Sequence, residues 1–204
     1  MVKLRKGGDF LKSYQALPEG YKEIYSVDLK KNKKLALLVN GIAIAISVIM
    51  AVVMNRFVPI STLFSMEQGF VSYMIRFVAL MLLSVLYIVL HELVHGIAMK
   101  MCGTKKVKYG FTGVYAFAGS EDYYDKRGYI FIALAPVVLW GVVLAAVNFI
   151  VPTSWVWVIY ILQMSNIGGA AGDYFVTVRF LRLPRDILIK DHGIGMAVYS
   201  MESE

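Results

Sequence analysis

Four long stretches of this chain are almost wholly apolar, at residues 35–54, 74–99, 129–151 and 155–178. A helix needs about 20 apolar residues to span the hydrocarbon core of a bilayer, so each block predicts one membrane-crossing helix. The loop at 100–128 has a different period. Val107, Tyr109, Phe111, Tyr115 and Phe117 alternate there with Lys108, Gly110, Thr112, Val114 and Ala116. Period two with aromatic and β-branched residues predicts a strand, and Gly110 and Gly113 allow a bend or hairpin. The pattern therefore predicts an all-α integral membrane fold of four transmembrane helices, with a short cytoplasmic β-strand or hairpin between the second and third. Residues 1–34 form a basic cytoplasmic arm, 35–178 the membrane domain, and 179–204 a cytoplasmic tail.

Composition agrees with that division. The chain is 58% hydrophobic and only 17% charged, against about a half and a quarter in soluble domains. No stretch remains for a separate soluble domain. The first block is longer than a signal-peptide core and lacks a small-residue cleavage site, which predicts an uncleaved first helix.

Charge then sets the orientation. The arm carries Lys3, Arg5, Lys6, Lys12, Lys22, Lys30, Lys31, Lys33 and Lys34, whereas the loop at 55–72 holds only Arg56 and Glu67. The loop at 100–128 carries Lys100, Lys105, Lys106, Lys108, Lys126 and Arg127, and Arg179, Arg182 and Arg185 follow the last block. Both termini and the middle loop are expected in the cytoplasm, in a multi-pass protein of the cell membrane. The net charge of +7 sits beside the spans, which points to anionic lipid head groups and not to nucleic acid. Arg76, near the outer end of the second span, is expected to snorkel to the head groups. The lone Cys102 permits no internal disulfide and reads as a reduced structural thiol.

The second block contains His91-Glu92-Leu93-Val94-His95. On a helix, residues four apart share a face, so His91 and His95 can offer two imidazole nitrogens to one metal ion. Glu92 stands beside them, where a carboxylate can take a proton from water on that metal. Ionisable groups are unfavourable at membrane depth, so this cluster is a functional-site candidate.

A catalytic zinc usually has three protein ligands and an open position. Outside the motif, Asp173 is the only acid buried in a span. His91 lies 17 residues into the second block and Asp173 lies 18 into the fourth. At 1.5 Å per residue the two reach similar depth near the cytoplasmic edge. Gly168, Gly169, Ala170, Ala171 and Gly172 precede Asp173 as a small-residue surface suited to close approach of the second span. His192, in the tail, is the alternative third ligand. Asn166, two turns before Asp173, offers a hydrogen bond to substrate or oxyanion, or equally an interhelical hydrogen bond. The strand holding Tyr109 and Phe111 either pairs with an extended substrate or forms an interfacial aromatic belt. Pro136 is expected to kink the third span and could open a water path.

These residues resemble the family named putative zincin peptidase, small membrane proteins of bacteria. The resemblance runs from about residue 80 onward. It rests on the motif helix, Tyr109-Gly110-Phe111, Ala135-Pro136, the Asn166 to Asp173 helix, and Lys190-Asp191-His192-Gly193. The layout is also similar to site-2 intramembrane proteases, although Tyr174 stands where those carry Gly after the Asp. The resemblance implies one Zn²⁺ per chain held by His91, His95 and Asp173, with Glu92 as base. The expected activity is metalloprotease cleavage of membrane-associated or transmembrane peptide substrates. The alternatives are a catalytically silent membrane-binding protein and a metal-dependent hydrolase of a non-peptide substrate.

Overall fold

The computed structural model describes residues 4–6, 11–28, 32–113, 115–193 and 195–201. Lys3, Lys30, Lys31 and Glu204 lie outside them. In chain order the elements begin with β1 (Leu4–Lys6), β2 (Lys12–Tyr14), β3 (Lys22–Asp28), α1 (Lys33–Asn55) and α2 (Phe70–Met101). There follow β4 (Lys108–Phe111), β5 (Ala116–Gly119), β6 (Tyr123–Asp125), α3 (Lys126–Ile150), α4 (Thr153–Gly169), α5 (Ala171–Leu181), β7 (Leu188–Asp191) and β8 (Gly195–Ser200). Contacts divide the chain into two compact units that interleave in sequence. One comprises Met1–Leu37, Glu92–Pro136 and Asp173–Glu204, the other Leu38–His91 and Val137–Gly172.

The first unit is built on a six-stranded antiparallel sheet, in the order β1-β2-β6-β7-β8-β3. This overturns the all-α expectation, because residues read as arm and tail are paired strands. In β3, Val27 is buried among more exposed neighbours and pairs with Met196 of β8. The partner lies far along the chain, so a short window gives no sign of it. The core joins Ala98, Met99 and Cys102 at the end of α2, Tyr129, Ile132 and Ala133 of α3, and Phe180 of α5 to Ile189 and Val198 of the sheet. Burial pushes the Cys102 thiol up to about 12, which keeps it protonated and inert. Separately, β4 and β5 form a two-stranded antiparallel sheet in which Tyr109 faces Ala118.

The second unit is helical. Helices α1, α2 and α3, of 23, 32 and 25 residues, are long and apolar enough to cross a membrane. Ile44, Val48, Leu82, Val85 and Val142 each keep more than half their surface exposed. Water-facing apolar patches rarely exceed a few hundred Å² in soluble monomers, so this surface suits association with a membrane. Inside, Tyr87, Leu144, Ile159 and Leu162 pack together.

The fourth apolar block is two helices and not one span. α4 stops after 17 residues at Gly169, Ala170 leaves helical geometry at ψ 15°, and α5 starts at Ala171. Glycine is about 1 kcal/mol poorer than alanine in a helix interior, so Gly168, Gly169 and Gly172 make this the weak point. The small-residue surface also faces a different neighbour from the one expected. A Cβ on Gly168 would lie 2.5 Å from Ser47 Oγ and 3.0 Å from the Ala43 carbonyl oxygen, so the close approach is to α1.

Arg76 does not reach outward as a snorkelling side chain would. It is only 2% exposed and donates to the Ser65 carbonyl and to Gln68 Oε1. Trp157 Nε1 donates to the Val58 and Pro59 carbonyls. Both side chains donate to carbonyls of the connection between α1 and α2.

Candidate metal centre

His91, Glu92 and His95 lie on one continuous stretch of α2, half-buried, with a potential ligand atom of each within 4.8 Å of the others. The bonds made by the far side of each ring decide what the near side can do. His95 Nδ1 is 2.9 Å from the Ile132 carbonyl oxygen. A carbonyl only accepts, so Nδ1 carries the hydrogen and the neutral ring keeps its lone pair on Nε2. That nitrogen lies 3.8 Å from Asp173 Oδ1.

His91 reaches the same state by a longer route. Asn166 Nδ2 donates to the Val137 carbonyl at 3.0 Å, which leaves Oδ1 as the acceptor. The Tyr87 hydroxyl donates to that Oδ1 at 2.9 Å. Its single hydrogen is then used, so at 2.9 Å from His91 Nδ1 the Tyr87 oxygen accepts. His91 also holds its hydrogen on Nδ1 and its lone pair on Nε2. Tyr87 is one turn before His91, so this chain of bonds starts on the motif's own face.

Two imidazoles with Nε2 lone pairs, each oriented by a bond at Nδ1, form the donor set typical of a zinc site. Asp173 suits it as well. It occupies the first turn of α5, where the positive end of the helix dipole favours a carboxylate. Ligands of a tetrahedral zinc stand roughly 3.3 Å apart, given bonds of ~2.0–2.1 Å. The His95–Asp173 separation is near that value and longer than a hydrogen bond.

The remaining candidates fall differently. Asn166 is fully buried with both ends of its amide engaged, so it has the interhelical bond and no face toward a substrate. His192 is exposed in the turn between β7 and β8, where its backbone N–H donates to the Gly195 carbonyl. Tyr109, on β4, sets its hydroxyl against the α-carbon of Gly96, directly after His95. Burial, and secondarily the Glu92 charge, raise its phenol above the ordinary value. Phe111 is 70% exposed.

Tyr87 and Tyr129 gave no signal in the sequence, and Asp191 entered there only as part of the resemblance. Tyr87 is one aromatic among many in an apolar block. Asp191 and Tyr129 are far apart in the chain, yet Tyr129 donates to Asp191 Oδ2 at 2.5 Å and the Gly193 N–H donates to Oδ1 at 2.6 Å. Burial pushes the Asp191 carboxyl up, against those two hydrogen bonds. Nothing local in the sequence shows that Asp191, at the end of β7, meets Tyr129 of α3.

The family described as "putative zincin peptidase" matches residues 84–188, just over half of the chain. The chain belongs to that family. The zincin peptidase match takes in the motif, β4 and β5, Pro136 and Asp173, and it ends before His192. No curated protein and no solved structure matches the chain.

Proposed function

We propose that this chain is a membrane-embedded zinc metallopeptidase that hydrolyses peptide bonds of membrane-associated or transmembrane substrates. The observation that carries the reading is the pair of Nε2 lone pairs on one helical face, each fixed by a bond at Nδ1, with Glu92 beside them. His91, His95 and Asp173 would hold one Zn²⁺ per chain. Zinc, when bound, supplies a Lewis acid that polarises a carbonyl and acidifies water.

The protein's own groups do the rest. Glu92 takes the proton from the attacking water and passes it to the leaving amine nitrogen. Asp173 stands in the first turn of α5, where the helix dipole favours a carboxylate. Tyr109 stands with its hydroxyl over Gly96, near enough to Glu92 for the two to interact electrostatically, and so can donate to a substrate carbonyl. With α1, α2 and α3 in the bilayer, the basic segments place both termini in the cytoplasm and the motif near the inner leaflet. In this reading α4 is the fourth crossing, its 17 residues giving roughly 25 Å at 1.5 Å per residue.

Metal analysis of the purified protein is expected to find close to one zinc per chain. Glu92→Gln should retain it while cleavage of a membrane-protein substrate, followed by proteomics of cells carrying each form, falls by about a hundredfold or more. Stoichiometric zinc in a His91→Ala/His95→Ala variant, or unchanged cleavage by Glu92→Gln, would refute the proposal.

A further inference from the structure

The hydrogen-bond partner of His95 has a particular origin. Ile132 lies in α3, four residues before Pro136, which sits inside that helix and is fully buried. In an uninterrupted helix the N–H of residue 136 would bond the carbonyl of residue 132. Proline has no N–H, so that carbonyl has no helical donor. A buried carbonyl without a donor is unfavourable. The donor it receives is His95 Nδ1, at 2.9 Å.

We propose that Pro136 is a positioning residue for the metal centre. By withholding one backbone N–H it leaves the Ile132 carbonyl open to His95, holding that ring in the Nδ1–H form with Nε2 as the ligating atom. This replaces the water path expected from a kink at Pro136 with a role in ligand orientation. It rests on the reading of His95 as a metal ligand.

The two halves of the idea pull a substitution in opposite directions. Pro136→Ala restores an N–H able to compete for the Ile132 carbonyl. It also removes the residue least favourable in a helix interior. The metal-free variant should therefore resist unfolding at least as well as the wild type. Its zinc affinity, read by competition with a chelator, should fall by ~10–100-fold, the usual result of losing a bond to a ligating histidine. A structural role for Pro136 would move stability and affinity together. In parallel, ¹⁵N spectra of the metal-free wild type report the tautomer directly, and His95 should carry its hydrogen on Nδ1.

Wild-type zinc affinity retained in a well-folded Pro136→Ala protein would overturn the proposal. So would a His95 that carries its hydrogen on Nε2, which settles the matter even if the variant does not fold. Failure of the wild type itself to bind zinc would instead overturn the metallopeptidase reading on which this one stands.

Discussion

Gly96 offers a sharp test of the site's geometry, because one methyl group there has two effects of opposite sign. A Cβ at this position would overlap the Tyr109 hydroxyl and lie 2.6 and 2.9 Å from two atoms of its ring. The ring would have to swing away. Tyr109 is 49% exposed, so about half of a surface of ~200 Å² is covered, or ~100 Å². At ~25 cal/mol per Å² that packing is worth at most ~2.5 kcal/mol. Against this, alanine is about 1 kcal/mol better than glycine in a helix interior. Gly96→Ala should thus destabilise the protein by ~1–2 kcal/mol. In a Tyr109→Ala background no ring is left to displace, and the same substitution should stabilise by about 1 kcal/mol. A double-mutant cycle, with unfolding followed in mild detergent, reads the difference as a coupling of ~2–3 kcal/mol. The same sign and size of effect in both backgrounds would mean that Tyr109 does not rest on the motif helix. Cleavage supplies a second readout, since Gly96→Ala and Tyr109→Phe should both slow it if the hydroxyl serves the substrate.

Asp173→Ala should weaken zinc binding by about 100-fold or more, beyond the ~10–100-fold of an indirect partner. His192→Ala should leave it nearly unchanged, and equal losses in the two variants would reverse that assignment. Cysteine introduced at Lys105 should label only from the cytoplasmic side and cysteine at Glu67 only from outside, and external labelling at 105 would invert the topology. Glu121 is bonded to Lys108 at 2.7 Å and ion-paired with Lys190 at 3.1 Å. These cations lower its carboxyl from 4.5 to about 2. A depressed carboxyl stabilises the fold above its unfolded value and loses that contribution as pH falls through the folded one. The stability gap between wild type and Glu121→Gln should therefore be constant above pH ~5 and close between about 4.5 and 2. A gap that persists at pH 2 would show that the two lysines do not act on this carboxylate.

The chemistry of the motif was legible in sequence because it is local. Two histidines four apart share a helical face whatever surrounds them, and Glu92 comes with them. The first three apolar blocks were legible for a similar reason, since a helix long and apolar enough to cross a membrane is a property of a single segment's length and composition. The count of residues that put Asp173 at the depth of His91 assumed one unbroken helix, and it ran through the break at Ala170 between α4 and α5.

What only the tertiary structure decided depends on pairings between distant segments. The arm and tail become β3 and β8 only when Val27 meets Met196, a partnership that no short window contains. The choice between the two roles of Asn166, and the loss of the expected role of Arg76, were decided in the same way. Each is a polar group in an apolar setting, and such a group goes to whichever partner the fold brings within about 3 Å. For Asn166 those partners are Tyr87 and the Val137 carbonyl, and for Arg76 they are Ser65 and Gln68. The state of the two histidines belongs here as well. Sequence gives their spacing along α2, whereas the atom that holds each hydrogen is set from α3 and α4, through the Ile132 carbonyl and the Tyr87–Asn166 pair.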